Sequence, residues 1–175
     1  MPAHPTTRTP LPAALATASL LLLSACGGNN TDDNQPSNTT TNTDTKPPLA
    51  QINPCNQLTT TDKEKLNTDS TGKFEDILGA KTCSWKIDPG QLTVGFHPDK
   101  GIEEINFSEG EQKLYSIQKS TGKIVRGNTG KICTISLPYT DSSTVNIDGN
   151  MRSIKSSCEL AKKAAPMVWE NLSEQ

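Results

Sequence analysis

Four cysteines constrain this chain more than any other feature. Cys55, Cys83, Cys133 and Cys158 all follow an apolar run, residues 11–23, that reads LPAALATASLLLL. Thirteen residues are too few to span a bilayer as a stable helix, and they fit the core of an export leader. An even number of cysteines in an exported chain favours disulfides. A metal site is the alternative. It lacks ligands: no two cysteines stand in C-x-x-C spacing, and His97 is the single histidine beyond the leader. Four cysteines allow three connectivities. Cys55–Cys83 with Cys133–Cys158 is favoured, because each bridge closes a loop of under thirty residues. In the chain-entropy account each contributes roughly 3 to 4 kcal/mol.

The apolar run ends in Leu23-Ser24-Ala25-Cys26, which resembles the lipobox of bacterial lipoproteins. There the cysteine is acylated with diacylglycerol and becomes the new N-terminus. Two acyl chains hold a protein stably on a bilayer, where one gives marginal binding at about 0.8 kcal/mol per buried CH₂. Residues 1–25 are therefore expected to be a signal peptide, Cys26 the lipidation site, and 150 residues the mature chain. No later segment is apolar enough to cross a membrane, so attachment is expected through the lipid alone. Residues 27–48, GGNNTDDNQPSNTTTNTDTKPP, carry no aliphatic or aromatic side chain and cannot offset their ordering entropy. They read as a polar tether, disordered from Cys26 to residue 48. A glycosylated stalk is the alternative, since the Thr, Ser and Pro content fits O-glycosylation.

Residues 49–175 have the length of a single domain. Their 15 Lys and Arg nearly balance 16 Asp and Glu, with no basic stripe, which argues against nucleic acid as a partner. A short helix is expected near residues 58–66, with Thr59 and Asp62, or Thr61 and Glu64, as its capping box. Residues 83–87 and 92–96 read as a hairpin across Asp88-Pro89-Gly90. Residues 132–137 and 144–147 read as another. Residues 101–107 suggest one or two helical turns. Residues 113–126 are ambiguous, broken by Ser120-Thr121-Gly122. The clearest helix spans 152–172, where Ile154, Cys158, Ala161, Ala165, Val168 and Leu172 form one apolar stripe. Pro166 should kink it or split it. The expected fold is α+β: an antiparallel sheet of about four to six strands, a short N-terminal helix and a longer C-terminal helix packed on it, stapled by two disulfides.

The order of these elements resembles a family of actinobacterial lipoproteins defined by a domain of unknown function, number 3558. Ile52-Asn53-Pro54-Cys55-Asn56-Gln57-Leu58-Thr59 is similar to that family's D/N-P-C-x-L-L-T-like opening. Cys83-Ser84-Trp85 matches its C-x-W strand. Cys133 opens a strand rich in β-branched residues, and Cys158-Glu159-Leu160-Ala161 matches a cysteine in its last helix. Gln57 departs from the usual leucine pair. The resemblance implies a cell-envelope location and the same sequential disulfide pairing, and it supplies no substrate.

Chemistry is harder to find. His97 with Asp99 and a serine would suit a general base, but a strand-end surface histidine is the plainer reading. No G-x-S-x-G or S-x-x-K nucleophile is present. Gly127-Asn128-Thr129-Gly130-Lys131 lacks phosphate-loop spacing and reads as a turn. Glu103, Glu104, Glu109 and Glu111 could gather Ca²⁺ but read better as solvated loop charges. Trp85 is expected in the core. Trp169 is expected to be buried, with an exposed ligand-stacking role as the alternative. No catalytic residue, metal or cofactor is expected. The expected function is a lipid-anchored envelope module that binds an unidentified envelope protein or small ligand, held to the membrane through Cys26. The alternatives are a carboxylate-dependent extracytoplasmic hydrolase, which needs two acids in one cleft, and a lipid or glycolipid carrier, which needs an apolar cavity.

Overall fold

A computed structural model describes residues 47–69 and 71–175. The expectations for the leader, for Cys26 and for the tether up to residue 46 lie outside the described residues. Seven strands form one antiparallel sheet: β1 (Lys73–Ile77), β2 (Ala80–Ile87), β3 (Gly90–His97), β4 (Glu111–Ile117), β5 (Ser120–Arg126), β6 (Ile132–Thr140) and β7 (Ser143–Asn150). Their spatial order is β1-β2-β3-β7-β6-β5-β4. Two meanders, β1 to β3 and β4 to β7, are thus joined edge to edge by β3 against β7. Residues 98–110 cross from one meander to the other. Two α-helices complete the fold, α1 (Thr60–Leu66) and α2 (Ile154–Ser173).

The sheet exceeds the expected four to six strands because β1 and β4 are its edges. Each has one neighbour and exposes most of both faces, so neither shows the period-two alternation that marks a strand in sequence. The ambiguous stretch 113–126 is the β4–β5 hairpin, and residues 102–104 form a single 3₁₀ turn.

The faces of the sheet divide by residue parity. On one face Trp85, Leu92, Val94, Phe96, Ile135, Leu137, Val145 and Ile147 are buried, and α2 lies over β6 and β7. Apolar burial of this kind contributes about 1.5 to 3 kcal/mol per large side chain. The contact is close because Gly149 has no Cβ. A side chain there would sit 2.2 Å from the Ser157 carbonyl oxygen. Ser153 and Ser156 form the α2 capping box. The helix runs through Pro166 as one element, against the expected split. Pro166 is exposed, while Ala161, Ala164, Ala165, Val168, Trp169 and Leu172 on both sides of it are buried. The helix is therefore not split, and buried residues on both sides of Pro166 hold it against the sheet.

Thr59 and Asp62 cap α1 reciprocally, the first of the two boxes expected. Asn171 of α2 donates to Asp62 and to the Gln57 carbonyl, both at 3.0 Å. Gln57, the departure from the family's leucine pair, is fully buried. It donates to the Asn53 carbonyl at 3.1 Å and accepts from Gln175 at 3.2 Å. The disulfides join Cys55 to Cys83 and Cys133 to Cys158. The first ties the N-terminal segment to β2, and the second ties the start of α2 to the start of β6.

The opposite face of the sheet is largely polar, and its middle is covered by the crossover 98–110. Phe107 is buried, its carbonyl accepts from Gln112 at 3.0 Å, and Glu103 pairs with Lys123 at 2.8 Å.

Candidate ligand-binding cleft

β5 and β6 pair only from Lys123↔Ser136 to Arg126↔Cys133. Beyond that register β6 continues to Thr140 and the β4–β5 hairpin continues to Ser120, and the two separate. Gly122 stands at the parting. A Cβ there would lie 2.0 Å from the Ser136 carbonyl oxygen, so only glycine lets β5 leave β6 at this angle. On β6 the separated stretch carries Pro138, which has no N–H to contribute to a ladder, and a register shift between Pro138 and Thr140. The gap is a cleft of about 630 Å³, within the size range of small-molecule sites.

Ser120 and Thr121 form one wall, Tyr139, Thr140 and Asp141 the other, and Trp169 of α2 closes the floor. Trp169 is buried, as the core reading expected, yet it also borders the cleft. The Ser120 hydroxyl is buried and has no hydrogen-bond partner. Such a group costs free energy unless something supplies its partner. The Tyr139 hydroxyl donates to the Pro47 carbonyl at 2.9 Å, and burial pushes its phenol up, so it stays a donor. Asp141 and Lys119 are the acid and the base of the lining, which leaves the cleft near neutral. The cleft therefore offers an aromatic floor, several hydroxyls, one of them without a partner, and one carboxylate with one ammonium.

The other residues singled out from sequence lie elsewhere. His97, the last residue of β3, is half-buried on the polar face. Its Nε2 meets the Asn146 amide nitrogen at 3.1 Å, and burial, with Lys100 nearby, lowers its pKa. Asp99 is exposed beyond it. Ser136 Oγ and Asn146 Oδ1, on paired positions of β6 and β7, are buried without a partner. Two residue pairs along, on the same face, Asp148 accepts from Thr134 at 2.5 Å. Burial pushes its carboxyl up to about 6, against that hydrogen bond. Among the acids considered for Ca²⁺, Glu103 pairs with Lys123, Glu104 accepts from the Gly101 N–H at 2.7 Å, and Glu111 meets Lys113 at 2.7 Å. Among the described residues no three His, Cys, Asp or Glu side chains gather as a metal site, and none of the principal clefts is lined by two carboxylates. No helix among them is long and apolar enough to cross a membrane.

Sequence reasoning missed the cleft and the Asp148–Thr134 pair. Ser120-Thr121-Gly122 was the available signal for the first. The second depends on strand register, which the sequence does not display.

A sequence model for a family described as a protein of unknown function, DUF3558, matches residues 21–171. No curated protein and no solved structure shows significant similarity to the chain.

Proposed function

The chain belongs to the DUF3558 family, and from that premise we propose that it is a lipid-anchored module of the cell envelope that works by binding. Cys26 carries the acyl anchor. The membrane is one partner, through that lipid, and the cleft between β5 and β6 takes an envelope protein segment or a small ligand. The observation that carries this reading is the cleft itself, with its aromatic floor and the unpartnered Ser120 hydroxyl. Its position agrees with the reading, since the residue that leads back toward Cys26, Pro47, is held by Tyr139 of the cleft wall. The disulfides fit an oxidising, extracytoplasmic compartment. A domain held close to the bilayer gains effective concentration for neighbouring envelope components without any new contact.

Two substitutions test the two halves of this proposal. Cys26→Ala should abolish acyl-label incorporation and move the protein out of the membrane fraction. Retention at the membrane without acylation would refute the anchor. Ser120→Trp fills the cleft from an exposed hairpin. Envelope cross-linking of the anchored protein should lose its specific adduct in this variant while both disulfides persist. An unchanged adduct would place binding elsewhere.

A further inference from the structure

The β1–β2 and β4–β5 hairpins have turns of equal length that differ at the second position, where Gly79 has φ 83° and Lys119 does not take a positive φ. Each turns in two residues, between Ile77 and Ala80 and between Ile117 and Ser120, and each places a non-glycine residue in the left-handed region at the first turn position. Turns of this kind favour Asn or Gly there, because other side chains are strained at positive φ. The second tip carries Gln118 and Lys119. The first carries Leu78, at φ 53° and 97 % exposed, followed by Gly79. Ile77 directly behind it is 53 % exposed, whereas Phe74, 49 % exposed, lies farther from the tip on the other face of β1. The turn is held in shape, since the Gly79 N–H donates to Asp76 at 3.2 Å. A strained backbone thus presents an apolar side chain to solvent, and the fold gains nothing from either. Departures from local rules without a folding benefit gather at functional positions.

The position of this tip indicates what covers it. Lys81, the second residue of β2, donates to the Ala50 carbonyl, and Ala50 lies three residues after Pro47. Pro47 is where the twenty residues following Cys26 and its neighbour end. The tip therefore lies on the end of the sheet to which the described residues 47–50 are attached, through Tyr139 and Lys81. Charges around it are mixed: Asp76 and Asp99 against Lys81 and Lys100.

We infer that the β1–β2 tip, led by Leu78 with Ile77 behind it, is a contact element for the lipid surface on which the protein is anchored. This rests on the lipid-anchor reading above. The occupant is the boundary between headgroups and acyl chains, entered by an apolar apex on a rigid turn. The mixed charge makes the contact independent of anionic lipid. A single leucine binds weakly alone, and the tether makes that sufficient by keeping the surface near.

The experiment uses the acylated protein in phosphatidylcholine vesicles, with an environment-sensitive fluorophore on Leu78→Cys and, for comparison, on Gln118→Cys. Both positions are exposed hairpin tips, and buried-tryptophan emission reports that each variant is folded. The probe at 78 should shift to the blue and lose iodide quenching several-fold, the probe at 118 should stay fully quenchable, and adding phosphatidylglycerol should change neither. Equal quenching at both positions would overturn the inference. So would shielding at 78 that grows with protein density at fixed lipid, because a second copy would then be the cover. The Cys26→Ala fractionation reports on the anchor separately. An anchored protein with position 78 in water fails this inference alone, whereas an unacylated protein at the membrane fails the anchor reading.

Discussion

At the end of the sheet where β6 and α2 begin, most local choices favour holding the fold. Cys133 and Cys158 are bridged, Ser153 and Ser156 cap the helix, Ser157 accepts the Met151 N–H at 2.8 Å, and Gly149 lets the helix backbone rest on β7. At the other end the choices run against stability. β5 parts from β6, the Ser120 hydroxyl is left without a partner, and Leu78 stands exposed at positive φ. One sheet thus has a clamped end and an open end. Substitutions at the clamped end should weaken the protein. Those at the open end should leave it as stable or more so while impairing what it does, the pattern expected where selection holds a site against stability.

The largest effect should come from opening the clamp. Replacing Cys133 and Cys158 together by Ser removes a cross-link across a separation of 25 residues, which should cost about 3 to 4 kcal/mol of unfolding free energy in a denaturant titration under oxidising conditions. A loss below about 1 kcal/mol would show that packing of α2 alone holds this end, and would break the contrast.

Asp148 sharpens the comparison, because it is the unfavourable side chain near the clamped end. Its folded carboxyl keeps a proton up to about pH 6, whereas the unfolded chain releases it near 3.8. The folded state therefore binds more protons between those values, and stability falls as pH rises through that window. Above it the deficit is about 2 to 3 kcal/mol. Asp148→Asn keeps the acceptor for Thr134 and should raise stability by up to that amount at pH 8, with little change at pH 4. Urea titrations at the two pH values measure this, and equal effects at both would show that burial does not tax the carboxylate.

The smallest effect is at the open end. Leu78→Asn suits the left-handed turn position and should stabilise the domain by about 1 kcal/mol. A clear loss of stability would mean that Leu78 packs on the domain after all.

The parts of this fold that were legible in sequence are those whose signal is local. The α2 stripe, the Thr59–Asp62 box and the central hairpins announce themselves by periodicity or by cap chemistry. β1 and β4 did not, because an edge strand with two exposed faces has no reason to alternate. Pro166 misled because a local penalty was weighed without the buried residues on both sides of it. The cleft was half legible. Ser120-Thr121-Gly122 showed a break, but a break becomes a cleft only when β6 continues past it, and that register joins residues far apart in the chain. The same holds for Asp148 and Thr134, and for Gln57, whose partner Gln175 lies at the far terminus.

The central claim is that the open end does the binding. A photo-crosslinking side chain placed at Thr140, in the cleft wall, and in a second variant at Lys131, on the clamped end, tests it in the full-length protein in intact cells. A specific adduct should form from position 140, vanish in the Ser120→Trp background, and not form from position 131. Adducts of equal yield from both positions, or from 131 alone, would contradict the account.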